Sequence, residues 1–161
     1  MAAVGWQLTA AKAARYPGFC MPANATTVWE FFHGWVFVAH CPGPLSEADL
    51  SAYLHDVMPR EELKGVVVRA SDGAPRPHQR AQIQRWFEQN NRRGAVLTDS
   101  VLARGGVTAM RWFGLPVRAF ALDELDAALG YVGIQPADIA PARARLREVI
   151  DAADALSRVS A

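Results

Sequence analysis

The chain predicts an α/β domain: an N-terminal β-hairpin, then alternating strand–helix units on a mixed, mainly parallel sheet, with an extra C-terminal helix. Three observations carry this. "TTVWEFFHGWVFVAHC" is rich in β-branched and aromatic residues and is broken in its middle by His33-Gly34, the pattern of two strands joined by a tight turn. Three short apolar runs, "KGVVVRA", "GAVLTD" and "LPVRAFAL", are each followed by a stretch with helical spacing. The length of 161 residues and the apolar share of 51% suit one domain with a real core.

The elements follow in order. Residues 1–26 lack a clear period, are punctuated by Pro17, Gly18, Pro22 and Asn24, and read as an N-terminal extension. The hairpin strands fall at about 26–32 and 35–41, and the second is apolar on both faces, as a central strand would be. In "PGPLSEADLSAYLHDVM", Ser46 is a natural N-cap with Asp49 at capping-box spacing, and Leu50, Tyr53, Leu54 and Val57 share one helical face. "KGVVVRA" is a buried strand, "SDGAPRP" a loop, and "HQRAQIQRWFEQNNRR" a helix with Ile83, Trp86 and Phe87 on its apolar face. "GAVLTD" is the next strand. "SVLARGGVTAMRWFG" is a helix that holds two adjacent glycines, Gly105 and Gly106. Each costs about 1 kcal/mol relative to alanine inside a helix, so the close approach of another backbone is expected there, with a kink or a partner contact as the alternative. "LPVRAFAL" is a strand and "DELDAALGYVG" a helix capped by Asp123. Right-handed crossovers are expected to place helices on both faces of the sheet.

The core domain is thus expected over 27–133, followed by an amphipathic helix within 134–161. There Leu146, Val149, Ile150, Ala153, Leu156 and Val159 form a stripe, opposite Arg143, Arg147, Asp151, Asp154 and Arg158. Such a stripe packs on its own domain or serves as an assembly helix.

Charge and cysteines narrow the function classes. Net charge is +1, so no global field draws the chain to nucleic acid or anionic lipid. The hairpin strands contain no Lys or Arg, which argues against a nucleic-acid platform on their aromatics. The longest apolar stretch, "GWVFVAHCPGPL", is too short and broken to span a bilayer, and the N-terminus lacks the pattern of a signal peptide. With only Cys20 and Cys41, a reducing cytoplasm is the simple expectation. The aromatics Trp29, Phe31, Trp35, Phe37, Trp86, Phe87, Trp112, Phe113 and Phe120 are all expected in the core.

Candidate chemistry is sparse. Thr98-Asp99-Ser100 stands between a strand and a helix, where Asp99 and Ser100 are cap-forming types. The same place, the carboxyl end of a parallel strand, is where α/β sheets hold ligands. Asp72-Gly73 is a strong turn pair at another strand end. Arg104 and Arg111, seven apart on one side of a helix, could join Arg69 or Arg76 in a small basic site. No phosphate-loop, dinucleotide or nucleophile-elbow motif is present. The histidines 33, 40, 55 and 78 include no pair at metal-binding helical spacing. Neither an enzymatic activity, a cofactor nor a metal is expected.

The element order over 27–133 resembles the STAS domain, the fold of bacterial anti-sigma-factor antagonists and of sulfate-transporter tails. "GVVVRASDGAPRPHQR", "AVLTDSVLARGGVTAMRWF" and "VRAFALDELDAALGYVG" are similar to stretches of uncharacterised STAS-like bacterial proteins. In the antagonists, a serine at the helix start after the third strand is phosphorylated to control docking. Here the matching stretch is "RASDGAPRPHQR", and Ser71 is the nearby candidate. The antagonists' Asp-Ser-Ser-Gly pattern is absent, and Pro75, Arg76 and Pro77 occupy the approach to the helix.

The resemblance implies a regulatory or protein-interaction module, docking a partner protein or its own copy. The alternative is a domain that binds a small ligand, nucleotide or lipid-like, at the strand tips. Either surface would draw on Ser71, Asp72, Gly73, Arg76, Asp99, Ser100, Arg104 and Arg111.

Overall fold

The computed structural model describes residues 26–43, 46–57, 59–71 and 77–159. Nearly all of the expected N-terminal extension, including Cys20, and Asp72, Gly73 and Arg76 lie outside the described residues.

The hairpin forms as its sequence predicts. Strand β1 (Thr27–Phe32) pairs antiparallel with β2 (Trp35–His40), Phe32 opposite Trp35. His33 and Gly34 both have positive φ, 48° and 90°, the mirror-image turn whose twist suits a two-residue hairpin. The chain continues through α1 (Glu47–Val57), β3 (Gly65–Arg69), α2 (Pro77–Asn90), β4 (Arg93–Leu97), α3 (Val101–Trp112), β5 (Val117–Phe120) and α4 (Leu125–Tyr131). A 3₁₀ turn, Pro136–Asp138, then leads into α5 (Ile139–Val159). The strands lie side by side in chain order, and every pair after the first is parallel. The result is an α/β fold with a five-stranded mixed sheet.

The strand order corrects one expectation. Each crossover steps to the next strand in the same direction, so crossovers of one hand place all their helices on one face. Ala52 and Val57 of α1, Trp86 and Phe87 of α2 and Val107 of α3 share a core with Trp29, Val36, Val38, Val66 and Val117. The opposite face is covered by the helices after the last strand. Leu125, Ala128 and Leu129 of α4 and Leu146, Val149, Ala153 and Leu156 of α5 pack on Val28, Phe37, Ala39, Val67, Ala95 and Leu97. Within that stripe Leu146, Val149 and Ala153 are fully buried, as are Ala142 and Ala152. Of the two roles open to this helix, packing on its own domain is the one seen.

Helix starts differ from expectation in detail. Ser46 Oγ accepts from the Asp49 N–H at 3.4 Å, but the Asp49 carboxylate does not reach back to complete a box. It accepts instead from the backbone and hydroxyl of Thr26, tying α1 to the start of β1. Asp123 does not cap α4. Glu124 takes the cap position, and its carboxylate accepts from the Ala121 N–H at 2.7 Å.

Candidate functional site

Parallel strands deliver their carboxyl ends to one edge of the sheet, and the segments that follow them meet there. Pro42 after β2, Ala70 and Ser71 after β3, Thr98, Asp99 and Ser100 after β4, and Leu122 and Asp123 after β5 line a cleft of about 670 Å³. Arg147, Ile150 and Asp154 of α5 form its other wall.

Thr98-Asp99-Ser100 is principally a helix start. Thr98 is buried, and its hydroxyl accepts from the Ser100 N–H at 3.1 Å. Ser100 is the N-cap of α3 and accepts from the Ala103 N–H at 3.4 Å. Asp99 leaves the capping to Ser100. Its carboxylate accepts from the Leu122 N–H at 3.5 Å and lies 3.8 Å from the Arg104 guanidinium. Arg104 Nε donates to the Thr98 carbonyl at 3.1 Å. These contacts join the ends of β4 and β5 around the first turn of α3.

The basic side of the cleft is already occupied by protein groups. Arg69 is buried and ion-pairs with Asp154 while donating to the His40 carbonyl at 3.1 Å and the Ile150 carbonyl at 3.4 Å. It therefore ties β2, β3 and α5 together. Ser71 Oγ donates to the Cys41 carbonyl at 2.7 Å. Burial, helped by the nearby Arg69 charge, lowers the His40 pKa from 6.5 to about 4, so its imidazole is neutral at pH 7. Burial also pushes the Cys41 thiol up, away from the thiolate a nucleophile needs. Asp99, Asp123 and Asp154 outnumber Arg69 and Arg147 around the cleft, which disfavours a strongly anionic guest. Among the described residues no group of His, Cys, Asp and Glu could hold a metal ion.

The cleft thus brings together Ser71, Asp99 and Ser100, with Arg104 beside Thr98 at the base of α3. Arg111 stands two turns further along α3, exposed and outside the cleft lining. Arg69, Arg104 and Arg111 therefore do not converge into one basic site.

A second feature lies on α3 itself. Val101, Leu102, Trp112 and Phe113 expose 85%, 66%, 84% and 71% of their surface. Trp112 and Phe113 are thus not core residues, contrary to expectation. The reason is geometric. At about 100° per residue, Val107 and Met110 point one way, towards the sheet. Val101, Leu102, Gly105, Thr108, Trp112 and Phe113 fall within an arc of about 140° on the opposite side. The glycine pair is likewise open: a Cβ built on Gly105 or Gly106 meets nothing within 4 Å among the described residues beyond its own helix turn, so no neighbouring element among them approaches the pair. Gly114, with φ 79°, ends the helix in the left-handed conformation, and the Leu115 N–H reaches back to the Met110 carbonyl at 3.2 Å. Apolar residues cover about two thirds of the α3 circumference, with Arg104 and Arg111 on the remainder, so residue type alone does not mark this face in the sequence.

Among the described residues no helix is long and apolar enough to cross a membrane. No protein-family model matches the chain, and neither do curated proteins or solved structures.

Proposed function

We propose that this chain is a STAS-like protein-interaction module that docks its partner through the outer face of α3. One observation carries the reading: four large apolar side chains, Val101, Leu102, Trp112 and Phe113, stand in water on a single helix face. Contiguous exposed apolar surface of this kind marks interaction sites. The double glycine supports it further. Gly105 and Gly106 weaken the helix by about 1 kcal/mol each, and among the described residues no other element packs against either. Low-profile residues between bulky ones suit the close approach of a second surface. The face begins one residue after Ser100, so the strand-tip segments adjoin it.

The reading is tested by placing a photo-crosslinking phenylalanine at position 112 and, as a control, at exposed position 88. Discrete crosslinked products at 112 and none at 88 are expected. The same pattern of products at both positions, or none at either, would refute docking through α3.

The cleft volume of about 670 Å³ favours a second reading, a small-ligand domain, because it lies in the range of ordinary ligand sites. A thermal-shift series with nucleotides and fatty acids decides it. A ligand present at about 100 times its dissociation constant adds roughly 2.7 kcal/mol of stability. An unchanged melting temperature across the series leaves α3 as the functional surface.

A further inference from the structure

We infer that the occupant of the α3 face is a second copy of this chain, α3 crossing its symmetry mate at Gly105. The inference rests on the docking role proposed above and names the partner.

Area is the first argument. Trp112 and Phe113 at their observed exposure, with Val101 and Leu102, present about 500 Å² of mostly apolar surface. A specific interface needs about 1,000 Å² in total. A two-fold contact uses the same patch on both protomers, so a patch of half that size reaches the threshold.

Shape is the second argument. The face is bulky at both ends, Val101 and Leu102 against Trp112 and Phe113, and low in the middle at Gly105. Two crossing helices touch most closely at one point and diverge on either side. A glycine at that point lets the backbones meet, and bulky residues fill the widening gaps. A surface built this way complements its own copy.

Charge is the third argument. Val101, Leu102, Gly105, Thr108, Trp112 and Phe113 carry no charge, so opposing two such faces buries no like-charge pair. Arg104 and Arg111 lie to one side, about 100° or more from the centre of the arc, where crossing helices have already separated.

Light scattering on the full chain over a dilution series tests the inference. The expected mass is twice the 17.6 kDa of the chain at high concentration. Trp112→Glu and Gly105→Leu should each weaken the dimer by about tenfold or more. Gly105→Leu separates loss of pairing from loss of folding. No described residue beyond its own helix turn lies within 4 Å of a Cβ at Gly105, and leucine is the better helix former, so a folded monomer is the expected product. A wild-type mass of 17.6 kDa throughout would overturn the inference. So would a dimer that both substitutions leave intact. If the wild type is a monomer yet position 112 crosslinks a different protein, the docking role stands and self-pairing fails. If the monomer instead sediments with lipid vesicles through Trp112, both fail.

Discussion

Arg145 of α5 ion-pairs with Glu30 in β1, 115 residues away in sequence. The Glu30 side chain is only 7% exposed, and its second carboxylate oxygen has no hydrogen-bond partner among the described residues. Burial raises the Glu30 pKa above its ordinary 4.5, and Arg145 opposes that rise. This contact pins the last helix across the edge of the sheet.

Removing Arg145 should therefore be costly in a pH-dependent way. A carboxyl group with a raised folded pKa contributes most stability when protonated and loses it as pH rises from 4.5 through the folded value. Without Arg145 that loss deepens. With Arg145 half-exposed, Arg145→Ala is expected to cost about 1–2 kcal/mol at pH 7 and clearly less at pH 4. Adding Glu30→Gln should recover most of the loss at pH 7. Urea melts at the two pH values check this, and equal costs at both would refute it.

His40 has the opposite slope. Its folded pKa of about 4 lies below the ordinary 6.5, so the unfolded chain takes up a proton that the folded chain refuses. The stability it contributes is complete above pH 6.5 and is lost as pH falls towards 4. The slope is at most about 1.4 kcal/mol per pH unit for one proton. His40→Gln keeps a polar group near the Thr27 hydroxyl, 3.0 Å from the present ring nitrogen. The substitution should flatten the profile between pH 6.5 and 4. An unchanged acid limb would show that His40 is not its source.

Gly94 is held by close packing. A Cβ there would stand 2.7 Å from Phe87 Cζ and 3.1 Å from Val117 Cγ1. Phe87 is buried and set edge-on against Trp86, with ring centroids 5.0 Å apart, so it has little room to yield. Gly94→Ala should cost about 2 kcal/mol, and Phe87→Leu in the same chain should return part of it. A wild-type melting temperature for Gly94→Ala would contradict the packing.

Gly105 and Gly106 predict the reverse. Alanine at either position meets no other element among the described residues, so each substitution should add about 1 kcal/mol to the monomer's stability. Denaturation at high dilution measures it. Destabilisation by either would mean that the outer face of α3 is not open in the monomer.

A chain stopped at Gly133 should not fold. It would lose Ala142, Leu146, Val149, Ala152 and Ala153, all fully buried, and leave only α4 to cover that face of the sheet. Circular dichroism should show no cooperative melt. A cooperative, native-like melt would mean that α5 is dispensable.

Much of this architecture can be read in the sequence because local chemistry decides it. His33-Gly34 set the hairpin, and the runs around Val66, Ala95 and Val117 set the parallel strands. Helix caps were less readable. Asp49 and Asp123 have the right side chains at the right spacing, yet Thr26 claims the first and Glu124 takes the place of the second. The sidedness of the helices depended on strand order, which no local pattern encodes. The strand tips were readable as a meeting place for Ser71, Asp99 and Ser100, because parallel strands force that convergence. The α3 face was not. Trp112 and Phe113 look like core residues by type, and only their angular position relative to Val107 and Met110 reveals that they point away.

The pairing of strands in chain order also sets a timetable for biosynthesis. Each strand can join its predecessor as it leaves the ribosome, since neighbours in the sheet are neighbours in sequence. The surface of β1 and β2 that α5 covers has no such early partner. More than a hundred residues separate Val28 from Ala142, and translation at about 5–20 residues per second takes roughly ten seconds to make them. For that interval the nascent hairpin presents Val28, Phe37 and Ala39 uncovered, making it the segment of this chain with the longest wait for protection from aggregation.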